Sequence, residues 1–217
     1  MRYLRVASIP EREKSLKETV KSMRPQVDSV FVMLNGYDHV PSFLNEGEYI
    51  MLDNSTGSAA KFYDVETIKE GYIFICDDDI AYPSGYVINM IKKIHQYNGV
   101  VSLHGKTYPR PVTHFTKWSH VYRCLGNVDN DAKVDMPGTG VLAFKAGRLD
   151  IKYSDFKTGY MSDTWMCKLC YEQNVPVWAI AHKRNYLRYF PYRDTIWRRE
   201  SENKFQYRTE LLKSFLT

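Results

Sequence analysis

Asp77, Asp78 and Asp79 stand together directly after the apolar run of residues 72–76. Three adjacent carboxylates repel one another and persist only where a cation or a bound partner neutralises them. In an open α/β sheet, ligands bind beyond the carboxyl ends of the strands, and this cluster falls at such an end. Alternate residues of an extended segment point the same way, so Asp77 and Asp79 are expected to face one site and Asp78 another. Oxygen donors of this type suit Mg2+ or Mn2+, whose remaining positions phosphate oxygens can fill. The plain alternative is a solvated acidic turn. The buried strand before it and its place at the strand exit favour a site.

Other residues could complete that chemistry. His182 closes a late apolar run and leads into Lys183 and Arg184. A histidine there is a candidate metal ligand, and the two cations are candidates to hold phosphate oxygens. Arg12, after the first apolar run, and Lys61, after Gly57-Ser58-Ala59-Ala60, are placed to meet a nucleotide or its phosphates. Asp163 begins an expected helix. It reads either as a capping residue or as a general base that takes a proton from an attacking hydroxyl. Asp135 precedes Pro137-Gly138-Thr139-Gly140, a loop suited to wrapping a sugar or an acceptor. The residues from His104 to Asp135, with His114, Trp118 and His120, read equally as an acceptor wall or as a structured surface insert. Cys76, Cys124, Cys167 and Cys170 match no zinc spacing and read as free thiols.

The elements that must position these groups alternate in type. Strands are expected over residues 3–9, 27–34, 49–52, 72–76 and 100–103, with helices over 15–23, 58–68 and 86–97, the last capped by Ser84. Further on, a strand is expected over 141–144, a helix over 163–172 and a strand over 175–181. Strands alternating with helices of this length argue for an α/β layer with a mostly parallel sheet. There is no Gly-rich dinucleotide fingerprint and no Walker A sequence.

The chain has 217 residues, 44% of them hydrophobic and 14% aromatic, which excludes a disordered chain. The net charge of +5 belongs to residues 183–217, where nine basic residues face four acidic ones; the preceding 182 residues carry 21 of each sign. No apolar run reaches the ~20 residues of a membrane span, and the short first apolar run is followed at once by charge, unlike a secretory signal.

Residues 6–12, Asp53, Lys61, the D-x-D of Asp77-Asp78-Asp79, the Pro137-Gly138-Thr139-Gly140 loop, Asp163 and His182 together resemble, in chain order, glycosyltransferases of the GT-A fold, close to the inverting family-2 type. The compact length and the run Asp77-Asp78-Asp79-Ile80-Ala81-Tyr82-Pro83 also resemble the small glycosyltransferase domains of large algal viruses, the chlorovirus type. The resemblance implies an α/β, Rossmann-like GT-A fold in one domain over 1–217. Its nucleotide-binding half would be 1–104, its acceptor and catalytic half 105–182, and its packed basic, aromatic tail 183–217. It implies a hexosyltransferase moving a hexosyl or deoxyhexosyl group from a nucleotide-diphosphate sugar, in the first place a UDP-sugar, to a carbohydrate hydroxyl. Ile9, Arg12, Asp53, Lys61, Asp77, Asp78, Lys183 and Arg184 would hold the donor. Asp79 and His182 would hold Mn2+ or Mg2+, and Asp163 would be the base of an inverting displacement. His104, Trp118, Asp135, Gly138, Thr139 and Gly140 would meet the sugar or acceptor. Ser162 stands where many such enzymes have Glu, which leaves the base open. The expected setting is cytoplasmic, in a host cell if the protein is viral. The partners are the two substrates, without nucleic acid or a membrane span, and further domains of a longer polypeptide are compatible.

Three other readings share parts of this pattern. A retaining transferase of the same fold would use another attack geometry. A sugar-phosphate nucleotidyltransferase would carry a Gly-rich basic loop after the first strand, where this chain has Pro10-Glu11-Arg12-Glu13. A non-catalytic carbohydrate- or RNA-binding module could use the tail aromatics, among them Tyr186, Tyr189, Tyr192 and Trp197, for stacking. Packing of those aromatics on the domain is the preferred expectation.

Overall fold

A computed structural model describes residues 1–193 and 205–217. In chain order the strands are β1 (Arg2–Ser8), β2 (Ser29–Asn35), β3 (Tyr49–Leu52), β4 (Tyr72–Cys76), β5 (Ile80–Ala81), β6 (Val100–Ser102), β7 (Gly105–Thr107), β8 (His120–Tyr122), β9 (Ala132–Val134), β10 (Met136–Pro137), β11 (Val141–Lys145), β12 (Val177–Ala179) and β13 (Arg188–Tyr189). The helices are α1 (Glu13–Met23), α2 (Tyr86–Tyr97), α3 (Ser162–Glu172) and α4 (Phe205–Lys213).

The main sheet runs β3-β2-β1-β4-β11-β6-β12-β9. The β3/β2, β2/β1, β1/β4 and β6/β12 pairs are parallel, whereas β11 runs against both its neighbours and β9 against β12. This is the expected α/β architecture, a mixed and mostly parallel sheet flanked by helices. The sequence halves interleave: β11 sits between β4 and β6. Two small sheets, β10-β7-β8 and β13-β5, stand outside it.

Burial explains the composition of the central strands. Phe74 and Cys76 of β4 pack into one core while Ile73 and Ile75 pack into the other. β11 repeats the pattern, with Val141 and Ala143 on one face and Leu142 and Phe144 on the other. A strand covered on both faces must be apolar throughout. One face is closed by Leu16, Val20 and Met23 of α1 and by Val87, Met90 and Ile94 of α2, spaced as one helical stripe requires. The other is closed by Trp165, Met166 and Cys170 of α3. Each such side chain contributes roughly 1.5–3 kcal/mol by leaving water.

Three local expectations are corrected. Residues 58–68 form two short 3-10 turns, Gly57–Phe62 and Val65–Thr67, broken by Asp64 at φ 58°. The first turn is held from outside: Gly159 O accepts from Ala59 N at 2.9 Å and from Ser58 Oγ at 3.0 Å. Ser84 does not cap α2, because Gly85 at φ 86° occupies the cap position and makes no side-chain bond. The strand expected to run through residue 181 ends at Ala179, and His182 instead bridges Val128. The segment 105–135, read as an acceptor wall or a surface insert, supplies β7, β8 and β9.

Candidate functional site

The carboxyl ends of the parallel strands β1, β2, β4 and β6 meet at one edge of the sheet. Antiparallel β11 begins at that same edge, with Val141 opposite Cys76. A cleft of about 550 Å3 opens there. Ile9 and Arg12 line it after β1, Asn35 at the end of β2, Asp77, Asp78 and Asp79 after β4, His104 after β6, and Gly138, Thr139 and Gly140 before β11. Lys61, Ser162 and Asp163 complete the wall, with Tyr160, Tyr189 and Arg208 from later segments.

The acidic cluster already holds two protein cations. A single Arg12 nitrogen, Nη1, donates to Asp78 Oδ1 at 3.0 Å and to Asp79 Oδ2 at 3.1 Å. The Arg12 guanidinium lies over the Tyr192 ring, 5.0 Å from its centroid. Lys61 Nζ donates to Asp77 Oδ1 at 2.5 Å, with the lysine side chain 4% exposed and Asp77 42%. Burial works against the Lys61 charge, but Asp77, with Asp163 and Asp78, outweighs it and holds the ammonium above the ordinary lysine range. Three carboxylates against two cations leave one negative charge in a confined place. Burial, then the charges of Asp77 and Asp78, push Asp79 up to about 7, with Arg12 opposing. Burial likewise raises Asp78 against the pull of Arg12.

Asp77 is seated by backbone. Its N–H donates to Gly140 O at 3.0 Å, and Tyr82 OH donates to the same oxygen at 2.5 Å. A Cβ on Gly140 would overlap the Asp77 carboxylate, so only glycine admits this approach. Gly138 is similar: a Cβ there would lie 2.7 Å from His104 Cβ.

Asp163 lines the same cleft. It is the second residue of α3, but it is not the cap; Met161 holds that position. Its Oδ1 accepts from Thr139 N at 2.8 Å and from Thr139 Oγ1 at 2.6 Å. Burial raises Asp163, yet Lys106 and the Thr139 bonds outweigh it, so the carboxyl stays below the usual aspartate range. It is therefore ionised near neutrality. His104 is pushed down to about 4 by burial and then by Lys106, so its ring is neutral there.

The predicted metal pair does not assemble. His182 is buried, with Nδ1 2.7 Å from Ile180 O and Nε2 3.2 Å from Arg123 O, and it is absent from the cleft wall. Among the described residues no group of three or more His, Cys, Asp or Glu is disposed to hold a metal ion. Oxygens of Asp77, Asp78 and Asp79 are already paired with Lys61 and Arg12. Lys183 is 84% exposed beside Asp129 at 3.8 Å, and Arg184 is exposed; neither lines the cleft. Asp53 is exposed and bonded to Ser55 N at 3.0 Å, while its neighbour Asn54 lines the cleft. Asp135 pairs with Arg110 at 2.7 Å, and Trp118 lies under Lys106 Nζ; both sit off the wall. Two contacts of the described tail residues bear on this part of the chain. Phe190 N donates to Asp79 O at 2.8 Å, and α4 buries Leu212. Trp197 lies outside the described residues.

Reading the sequence missed Asn35, Tyr160, Tyr189 and Arg208. Asn35 was legible, since it closes a strand whose end must face the ligand edge. The others have no local signal and reach the cleft only through tertiary packing. The four cysteines are free. No helix among the described residues is long and apolar enough to cross a membrane.

No family model matches the chain. No curated protein matches it in sequence. Among solved structures it is similar to one described as "Crystal Structure of A197 from STIV", at 11% identity and a TM-score of 0.44, over 89% of this chain and 86% of that chain.

Proposed function

We propose that the chain transfers a glycosyl group, hexosyl or deoxyhexosyl, from a nucleotide-diphosphate sugar, in the first place a UDP-sugar, to a carbohydrate hydroxyl. One observation carries this reading. A single cleft at the strand ends holds a dense carboxylate cluster paired with the buried Lys61 and the half-buried Arg12, and with it an ionised, partly open carboxylate, Asp163, held separately on Thr139. Transfer needs these two poles. The leaving diphosphate gains charge as the glycosidic bond breaks, and fixed cations stabilise it most at that moment. The acceptor hydroxyl is a poor nucleophile until a carboxylate takes its proton.

In this scheme Lys61 and Arg12 steady the diphosphate side, and Asp77 orients the ribose or sugar. Asp79 is the residue that would hold Mn2+ or Mg2+, which when bound neutralises diphosphate charge. Asp163 accepts the hydroxyl proton at its free oxygen. With the base opposite the leaving group, the anomeric centre inverts. The family-2 and algal-virus likeness of the sequence motifs agrees with this assignment.

The test is a panel of UDP-, GDP- and dTDP-sugars with and without Mn2+, read by release of nucleoside diphosphate. UDP release from a UDP-sugar is expected; pyrophosphate release would identify a nucleotidyltransferase instead. Asp79→Ala is expected to lower turnover at least 100-fold with an unchanged circular dichroism spectrum. Full activity in that variant removes Asp79 from the site.

A further inference from the structure

We propose that Thr139 is the positioning residue of Asp163, holding one carboxylate oxygen so that only the other is offered to the acceptor hydroxyl. The inference rests on the reading of Asp163 as the base and assigns Thr139 a task different from contact with sugar.

Thr139 is 3% exposed and gives both of its donors, the backbone N–H and the hydroxyl, to Asp163 Oδ1 at 2.8 and 2.6 Å. Asp163 Oδ2 carries no hydrogen bond among the described residues, and Asp163 lines the cleft. The hydroxyl chain behind Thr139 fixes the direction of its proton. Ser58 Oγ donates to Gly159 O at 3.0 Å, so its proton is committed. Ser162 Oγ lies 2.9 Å from Thr139 Oγ1 and 3.4 Å from Ser58 Oγ. With the Thr139 proton spent on Asp163, the shorter contact is made by Ser162 donating to Thr139. Ser162 thus acts behind the carboxylate, as the second donor in the hydroxyl chain.

Two bonds to one oxygen hold the carboxylate plane and prevent it from rotating both oxygens out of reach. They also stabilise the ionised form, which sets the pH at which the base becomes available. The groups that face Asp163 are Lys106 on β7, His104 after β6, Lys61 in the 3-10 turn, Tyr108 after β7, Cys167 on α3 and, across the same cleft, Arg208 on α4. All of them remain in a Thr139 variant, so a shift there reports the threonine hydroxyl alone.

The experiment compares Thr139→Val, which keeps shape and the backbone donor, with Thr139→Ser, which restores the hydroxyl. The Asp163 carboxyl is titrated by carbon-13 NMR and assigned with Asp163→Asn; this needs no ligand. The acid limb of kcat is measured with the best donor of the nucleotide-sugar panel. In Thr139→Val the Asp163 midpoint is expected to rise by about one pH unit, the acid limb to move with it, and kcat to fall about tenfold with donor KM unchanged. Thr139→Ser is expected within threefold of wild type, and Ser162→Ala to show a smaller shift of the same sign. An Asp163 midpoint unmoved in Thr139→Val overturns the proposal whether or not Asp163 is the base. Wild-type turnover in Asp163→Asn overturns the base reading alone.

Discussion

Lys61 and Asp77 form the tightest pair in the cleft, and their unequal exposure decides what breaking it does. Removing one member of a fully buried pair costs roughly 3–5 kcal/mol. Here Asp77 keeps 42% of its side-chain surface in contact with solvent, so water can solvate the orphaned carboxylate. Lys61→Met is therefore expected to change stability by less than ~2 kcal/mol. The same variant should weaken UDP binding at least tenfold, since a fixed cation beside the diphosphate is gone. Urea unfolding and calorimetric titration with UDP separate the two effects. His104 supplies a pH test. Its folded pKa lies near 4 and its unfolded value near 6.5, so the unfolded chain binds more protons between those limits. Stability carried by neutral His104 is present above pH 6.5 and is lost as pH falls towards 4, by ~3 kcal/mol at most. Other groups titrate in that window, so the readout is the difference between wild type and His104→Gln, measured at pH 4.5 and 7. Equal losses in both proteins would contradict the assignment.

At the scale of elements, the site depends on where strands stop. β11 must start beside the end of β4 for Gly140 to lie beneath Asp77, and the register of Val141 with Cys76 places it there. Gly140→Ala is expected to push the Asp77 carboxylate off Lys61, lowering turnover at least tenfold while the thermal midpoint moves by only a few degrees. A crystal structure of the variant with Asp77 still on Lys61 would refute this. Strand ends also explain what the sequence made legible. Asp77–Asp79 and Asp163 were readable because a buried apolar strand and a helix start announce themselves locally. His182, Lys183 and Arg184 were misplaced because β12 stops at Ala179, and the next residues turn to bridge Val128. The alternation of types revealed the α/β class, but β11 is as apolar as a parallel strand, since both its faces are covered. Its direction could not be read from composition. The 58–68 segment has helical spacing, yet its bonds to Gly159, far along the chain, hold it in 3-10 turns.

At the scale of the whole molecule, the chain's last helix docks beside the cleft and contributes Arg208 to its wall. Leu212, Phe215 and Leu216 pack against Phe115, Tyr108 and Cys167, and Phe115 N donates to Thr209 Oγ1 at 3.0 Å. From the same helix Arg208 reaches the cleft wall, with Nη2 2.6 Å from Tyr160 O. The wall bearing Lys61, Arg12 and the Asp77–Asp79 cluster, by contrast, is built from β1, β4 and the 3-10 turn, none of which belongs to the Leu212 cluster. The two walls should therefore respond differently to a fault in the docking of α4. Leu212 is fully buried, and its truncation to alanine should cost ~2–5 kcal/mol if the helix stays docked. If α4 instead opens by itself, the cost is capped at its local docking free energy. In either case Leu212→Ala is expected to leave UDP affinity within twofold of wild type and to raise the acceptor KM at least fivefold. Hydrogen exchange should quicken in residues 205–213 and at Phe115 while the β1 and β4 amides keep their wild-type protection relative to global unfolding. Equal losses of UDP and acceptor affinity would mean that α4 supports the cleft as one unit, and the division into two walls would fail.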